Sequence, residues 1–177
     1  MIRDILQKRR SIRSFQTREV DRDIIRRVLE AALLSPSSND SQPWLFILVE
    51  DKVLLSKLAK SKPRGSDFLA GAAFGIVVCA DTSRAAAWVE DASIAAMNIQ
   101  IAAAEEGLGC CWIQIRGRTA PDGGLASDFI RNLLEIPSPY DVETIIAAGY
   151  PAGDKAPHTL DSLKWDMVRL NDFSIRF

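Results

Sequence analysis

Histidine is almost absent from this 177-residue chain: His158 stands alone, and Cys79, Cys110 and Cys111 are the only thiols. A zinc centre of the usual His/Cys kind therefore has no ligand spacing to build on. A Ser/His/Asp triad would depend on one histidine in a polar stretch. An odd cysteine count, with two residues adjacent in an apolar run, is no disulfide framework and suits a reducing compartment. A dominant sign of charge is missing too: the net charge is −1, which gives no global attraction to nucleic acid or to an anionic membrane. Long hydrophobic runs are also lacking. The longest, Ala92 to Ala104, is interrupted by Ser93, Asn98 and Gln100 and falls short of a bilayer's thickness. Met1-Ile2-Arg3-Asp4-Ile5 lacks the basic-then-apolar profile of a signal peptide. The expectation is a soluble cytoplasmic protein without a metal, whose partners are neither nucleic acid nor membrane.

What the chain does have is apolar residues, 47% of the total, enough for a real core in a single domain. Ile2 to Lys8 reads as a short amphipathic helix. Asp21 to Leu34 reads as a stronger one, with Asp21 as its cap, apolar residues at helical spacing and Pro36 just beyond its end. Leu45–Val49, Gly75–Ala80, Cys110–Ile115 and Thr144–Ala148 are short apolar runs that suit strands, the second of them fully buried. Lys52–Lys60 and Ala126–Leu134 have a helical period. The clearest helix is Ala85 to Glu106, unbroken by glycine or proline, with Gly107 placed to cap it. It carries two apolar stripes, one of Trp88, Ala92, Ala95, Ala96, Ile99 and Ala103 and one of Ile94, Met97, Ile101 and Ala104. A helix apolar on most sides is buried on most sides, either centrally or against a second subunit. Glu90-Asp91 and Glu105-Glu106 read as solvated face rather than acid/base pairs, because adjacent helical residues do not share a face. Beyond Gly149-Tyr150-Pro151 the tail turns polar, then apolar at Leu163, Trp165, Met167 and Val168. Such a tail fits a loose end, but the alternation of Leu163 and Trp165 suits an arm lying on something else.

Three segments carry chemistry. In Arg9-Arg10-Ser11-Ile12-Arg13, an extended backbone points Arg9, Ser11 and Arg13 to one side, which suits a phosphate or a planar anion. Arginines following a helix C-terminus also have a plainer use in satisfying its carbonyls. Pro36-Ser37-Ser38-Asn39-Asp40-Ser41-Gln42-Pro43-Trp44 sets small hydrogen-bonding groups in a frame of two prolines, as a flavin's pyrimidine edge requires, though a helix-to-strand connection can look the same. Gly107-Leu108-Gly109-Cys110-Cys111-Trp112-Ile113 joins the long helix to a strand. It is not a dinucleotide fingerprint, since spacing and element order are both wrong. Cys110 and Cys111 have no charged sequence neighbour to lower a thiol pKa and read as structural.

In this order, the segments resemble the nitroreductase family. Arg9-Arg10-Ser11-Ile12-Arg13, Pro36-Ser37 with Gln42-Pro43-Trp44, Gly107-Leu108-Gly109 before Cys111-Trp112-Ile113, and Ala148-Gly149-Tyr150-Pro151 all match its motifs across nearly the whole chain. The resemblance implies one α+β domain over residues 1–177, with a mostly antiparallel sheet flanked by helices. It implies an intertwined homodimer with residues 152–177 as an arm on the partner. It implies FMN at the subunit interface and hydride passed from NAD(P)H to an organic acceptor such as a nitroaromatic or quinone, in a ping-pong pattern. The flavin carries the hydride chemistry, so no catalytic side chain is expected. Arg9, Arg10, Ser11 and Arg13 are then implied to hold FMN from one subunit and Pro36, Ser37, Ser38 and Asp40 from the other. Trp112, Ile113 and Gln114 run past the ring edge.

Two departures stand out. The family commonly has Asn where this chain has Asp40. An acid facing a reduced, anionic flavin is repelled, so either Asp40 turns away or Asn39 takes its place. No clean match exists for the family's C-terminal phosphate-binding base, and Lys155 and His158 are the candidates. Rival readings are a flavin-storage protein, a different reaction on the same flavin such as heterocycle dehydrogenation or reductive dehalogenation, and a binding domain that never holds flavin.

Overall fold

The computed structural model describes residues 1–176; Phe177, the last residue of the expected arm, lies outside the described residues. Helix α1 spans Ile2–Lys8 and helix α2 Arg22–Leu33, the latter capped by the Asp21 carboxylate, which accepts the Asp23 N–H at 2.8 Å. Strand β1 is Trp44–Val49, helix α3 Lys52–Leu58, strand β2 Phe74–Asp81, helix α4 Trp88–Glu105, strand β3 Gly109–Gln114, helix α5 Ala126–Leu133 and strand β4 Tyr140–Gly149. Their order in the sheet is β1-β2-β4-β3, every pair antiparallel. This is the α+β architecture expected from the sequence.

Both faces of the sheet are covered, which is why β2 reads as an unbroken apolar run. Phe74, Ile76 and Val78 pack under α2 and α4 with Val28, Ala96 and Ile99. Val77 and Cys79 face the other way, toward Leu55 and Leu58 of α3 and Ile130 of α5. Residue alternation along β2 thus feeds two cores.

Helix α4 begins three residues later than the sequence suggests. Ala85–Ala87 favour helix by propensity, but Ala87 offers no side-chain cap, and these residues form turns. The helix ends as expected: Gly107 adopts φ +73°, and the Leu108 N–H bonds the Ala103 carbonyl at 2.8 Å, closing a Schellman cap. Only the first apolar stripe is buried. Ile94 is 42% exposed, and Met97, Ile101 and Ala104 are partly exposed, so within one subunit the second stripe is covered only in part.

The reading of Glu90-Asp91 as solvated face needs correction. Glu90 is exposed, but Asp91 is buried and accepts the Ser38 N–H at 2.8 Å. Glu106 likewise has a specific use, taking both the Nε and Nη2 of Arg27 at 2.6 and 2.8 Å. Among the described residues the tail makes no strand of the sheet. It forms two short turns, Leu160–Ser162 and Trp165–Met167, and every described residue from Ala152 onward is exposed.

The N-terminal segment crosses the end of the sheet. The Ile12 N–H donates to the Cys110 carbonyl at 2.9 Å, and the Gln16 N–H to that of Tyr150 at 2.8 Å. A Cβ at Gly109 would lie 2.8 Å from Ile12 Cβ, closer than packed carbons come. Gly109→Ala should therefore cost about 1–3 kcal/mol of stability through overpacking. Denaturant unfolding of Gly109→Ala, Ile12→Gly and the double variant should show a combined loss smaller than the sum of the single losses, because the colliding Cβ at residue 12 is gone. Strict additivity would mean that the two residues do not meet.

Candidate functional site

Strand β3 lies at one edge of the sheet, and its backbone decides which groups are open. In an antiparallel ladder alternate residues turn their N–H and C=O toward the neighbour strand. Cys110 turns its carbonyl outward to Ile12, so Trp112 and Gln114 turn outward as well. The N-terminal segment covers the edge only at Ser11–Ile12 before leaving for Tyr150 and Pro151. Beyond that point the outward backbone of β3 pairs with no other strand among the described residues, and the Trp112 carbonyl meets only the Cys111 thiol, at 3.6 Å.

Cations from two parts of the chain gather at the covered end of that edge. A cavity of about 180 Å³ is lined by Lys8, Arg9, Arg10 and Lys155, with Asp154 as its one carboxylate and with Ala104 and Gly107 at the end of α4. The Lys155 ammonium donates to the Ser11 carbonyl at 2.8 Å, and Arg10 donates to the Ala156 carbonyl. Neither Arg9 nor Arg10 bonds a side-chain donor to a carbonyl of α1, so these arginines are not helix-end satisfiers. Arg13 lies over the Phe68 ring at 5.6 Å. Lys155, not His158, joins the cluster; His158 is tied by backbone to Gln7, its N–H meeting the Gln7 carbonyl at 2.9 Å.

The Cys111 thiol marks where these groups converge. Burial pushes it up, while Arg13, Ser11, Lys155 and Arg9 all pull it down. Burial also drives Cys110 and Cys79 to about 12. Thiols held protonated this firmly are poor nucleophiles, in line with a structural reading.

The proline-bracketed loop is elsewhere. Ser37 Oγ accepts the Gln42 N–H at 2.9 Å, Ser38 is tied to Asp91, and the Asp40 carboxylate takes Gln42 Nε2 at 3.0 Å. Asn39, Asp40 and Gln42 all have positive φ, at 52°, 52° and 43°. Three left-handed non-glycine residues in four positions store strain of the kind that collects at functional sites. This loop sits at the N-terminal end of α4, by Asp91, whereas the arginine cluster sits at the C-terminal end, by Ala104. Thirteen helical residues separate the two by about 20 Å. The structure therefore brings Arg9, Arg10, Ser11, Arg13 and Lys155 together with β3, and leaves Pro36, Ser37, Ser38 and Asp40 apart from them.

One polar network escaped the sequence reading. The Trp112 indole N–H donates to Gln114 Oε1 at 2.8 Å, and Gln114 Nε2 donates to Glu143 Oε1 at 3.1 Å. Glu143 is the extra residue of a β-bulge in β4, where Val78 pairs with Thr144 and Cys79 with Val142, and it is 3% exposed. Its Oε2 has no hydrogen bond and lies 3.9 Å from Arg116 Nε, whose guanidinium lies over Trp88 at 5.6 Å. Bulges re-aim side chains in this way. The signal was present in the sequence, since Glu143 is an acid inside the otherwise apolar run Val142–Ala148.

Fold and site define a small antiparallel α+β protein with a cationic, open-edged site along its last-but-one strand. The nitroreductase family model matches residues 6–63 and 57–150. A solved structure described as an FMN-dependent nitroreductase from Clostridium difficile R20291 superposes with a TM-score of 0.93, at 43% identity over 96% of this chain and 98% of that one. A protein of Methanothermobacter thermautotrophicus, provisionally named an NADH dehydrogenase/NAD(P)H nitroreductase, is 36% identical over 94% of this chain and 85% of its own length. An NADH dehydrogenase of Thermus thermophilus is 26% identical over 85% of this chain and 86% of its own. The chain belongs to the nitroreductase family and is an oxidoreductase. Among the described residues no helix is long and apolar enough to cross a membrane.

Burial is the main reason that the Glu143 carboxyl titrates above its ordinary 4.5; Asp141 and Glu90 raise it further, against Gln114 and Arg116. A carboxyl raised on folding contributes stability below the unfolded value and loses it as pH climbs through the folded one. Glu143→Gln removes the titration. Its melting temperature should gain on the wild type as pH rises from about 4.5 toward 8. Thermal unfolding across that range tests this, and a pH-independent difference would refute it.

Proposed function

We propose that the protein is an FMN-dependent oxidoreductase that passes hydride from NAD(P)H to an organic acceptor such as a nitroaromatic or quinone, the two using one cleft in turn. The FMN dependence of the Clostridium relative and the NAD(P)H in the name of the Methanothermobacter relative support the cofactor and the co-substrate. The residues present fit FMN. Lys8, Arg9, Arg10 and Lys155 around the cavity suit its phosphate. The outward backbone of Trp112 and Gln114, with Ser11 and Arg13 close by, suits the hydrogen-bonding edge of its ring. When bound, FMN supplies hydride transfer. This chain's residues bind it, orient it and, through the cations, favour negative charge near the ring.

The observation that carries the reading is the separation of the motifs along α4. One subunit holds the arginine cluster at the C-terminal end and the serine-rich loop at the N-terminal end. A second copy, with its α4 antiparallel, sets one end beside the other and covers Ile94, Met97, Ile101 and Ala104. Pro36, Ser37, Ser38 and Asp40 then reach the cofactor from the second subunit, while Trp112, Ile113 and Gln114 line it from the first. The exposed tail supplies the arm: Leu163, Trp165 and Phe173 are 49%, 57% and 89% exposed. Such residues gain about 1.5–3 kcal/mol each when fully buried.

Arg9→Ala or Arg13→Ala should weaken FMN binding by about ten- to a hundredfold, the worth of one charge-assisted contact, while far-UV circular dichroism stays unchanged. Flavin titration measures it, and unaltered affinity in both would remove the cluster from the site. Ile94→Lys with Ile101→Lys adds charge to the uncovered stripe. In analytical ultracentrifugation followed at the flavin absorbance, this variant should sediment as a folded monomer without FMN. A monomer that retained stoichiometric flavin would overturn the shared site.

A further inference from the structure

A second concentration of positive charge lies at the far end of β3. Lys62, Arg64 and Arg118 line one shallow depression of about 420 Å³ together with Pro63, Gln114 and Thr119, and no carboxylate is among the lining residues. From Cys110, beside the first cavity, to Gln114 is about 14 Å of strand, too far for one small anion to reach both. Among the described residues none of these three side chains forms an ion pair, in contrast to Arg22, Arg26, Arg27 and Arg131, each matched with a carboxylate.

Both segments that carry the cations are held firmly. The Lys62–Arg64 loop is closed at its base by Ser66 Oγ, which donates to the Ala59 carbonyl at 2.8 Å. Ser61 and Ser66 are wholly buried at its two ends, and Gly65 makes its turn at φ +79°. Arg118 follows the left-handed Gly117. Its N–H bonds the Ile115 carbonyl at 3.0 Å, and its own carbonyl accepts from Ala126 at 2.8 Å. Fixed backbone keeps like charges near one another, and the strain shows at Lys62. Burial and Arg118 both drive its ammonium down, against Cys111 and Asp67. Such a repulsive group becomes favourable when an anion sits in it.

We infer that Lys62, Arg64 and Arg118 form a recognition site for an oxyanion carried by a substrate entering the cleft beside Gln114, and so set a preference for anionic over neutral substrates. The inference rests on the proposed flavin chemistry and adds the charge of the molecule that chemistry serves. Two substrates can carry the group: a nicotinamide nucleotide with a 2′-phosphate, or a carboxylated acceptor.

Lys62→Gln/Arg64→Gln and, separately, Arg118→Gln are compared with the wild-type holoprotein. Each is assayed with NADPH against NADH and with 4-nitrobenzoate against 4-nitrobenzyl alcohol. Equilibrium binding is followed by calorimetry with adenosine 2′,5′-bisphosphate against AMP and with 4-nitrobenzoate. Wild-type preference for the anionic member of one pair, falling about tenfold or more in the variants, supports the site and names its source. Loss confined to the nucleotide pair assigns the 2′-phosphate; loss confined to the nitro pair assigns the acceptor. Equal effects on both members of each pair would overturn the inference. So would release of FMN by folded variants, because the cations would then serve the cofactor. A wild-type protein that takes up no flavin removes both this inference and the proposed function, whereas flavin-replete variants of unchanged preference remove only this one.

Discussion

The contact of Ile12 with the bare backbone of Gly109 is the constraint on which the site depends. A side chain at residue 109 would occupy the space that Ile12 fills. Because that space is open, the N-terminal segment lies against the first turn of β3, buries Ile12 and donates its N–H to Cys110. Ser11 and Arg13, the neighbours of Ile12 in an extended chain, are thereby aimed at Cys111. The same docking leaves the rest of the β3 edge open, since the segment turns away toward Tyr150 and Pro151. Anchoring, aiming and exposure follow from one missing Cβ.

The site accepts electrostatic cost in return. Arg9, Arg13, Lys62, Arg64, Arg118 and Lys155 lie along one strand in a chain whose net charge is −1, so apart from Asp154 and Asp67 the carboxylates that balance them lie elsewhere. Arginines on the outer faces of α2 and α5 are matched with Glu30, Glu106 and Asp128. Exposed pairs of that sort contribute about 0–1 kcal/mol, so pairing there and not along β3 costs the fold little. It leaves a surface whose field is directed at whatever lies on the β3 edge, which a reaction that builds negative charge on a bound ring can use.

Much of this was legible in the sequence because local rules govern it. Helix α1 was read with its observed bounds, α2 was found from Asp21 and its period, and the end of α4 from Gly107. The errors fall where tertiary contacts override local ones. Asp91 looks like half of a solvated acidic pair, yet it is buried because Ser38, 53 residues earlier, supplies a backbone donor. Ala85–Ala87 have the propensity for helix without a cap to start one. The tail's alternation suggested an arm lying on something else; its described residues form short turns and are exposed. Glu143 was hidden by its apolar neighbours, and its use appears only when Gln114 is seen across the ladder. The Lys62–Arg118 grouping joins positions 56 residues apart and has no local signature at all.

The motif readings show the same division at a larger scale. Each of the matched segments is local, and the sequence places them in order. It does not say which of them meet. The structure answers through the length of one helix: α4 is 18 residues long, about 27 Å, and it holds the serine-rich loop at one end and the arginine cluster at the other. The helix is also apolar on a face that its own subunit covers only in part. In the dimer proposed above these two facts have one meaning: a second, antiparallel rod would cover the stripe and set the two groups of motifs side by side, so a change that opens that pairing would remove the cofactor's surroundings without touching a residue proposed to hold it.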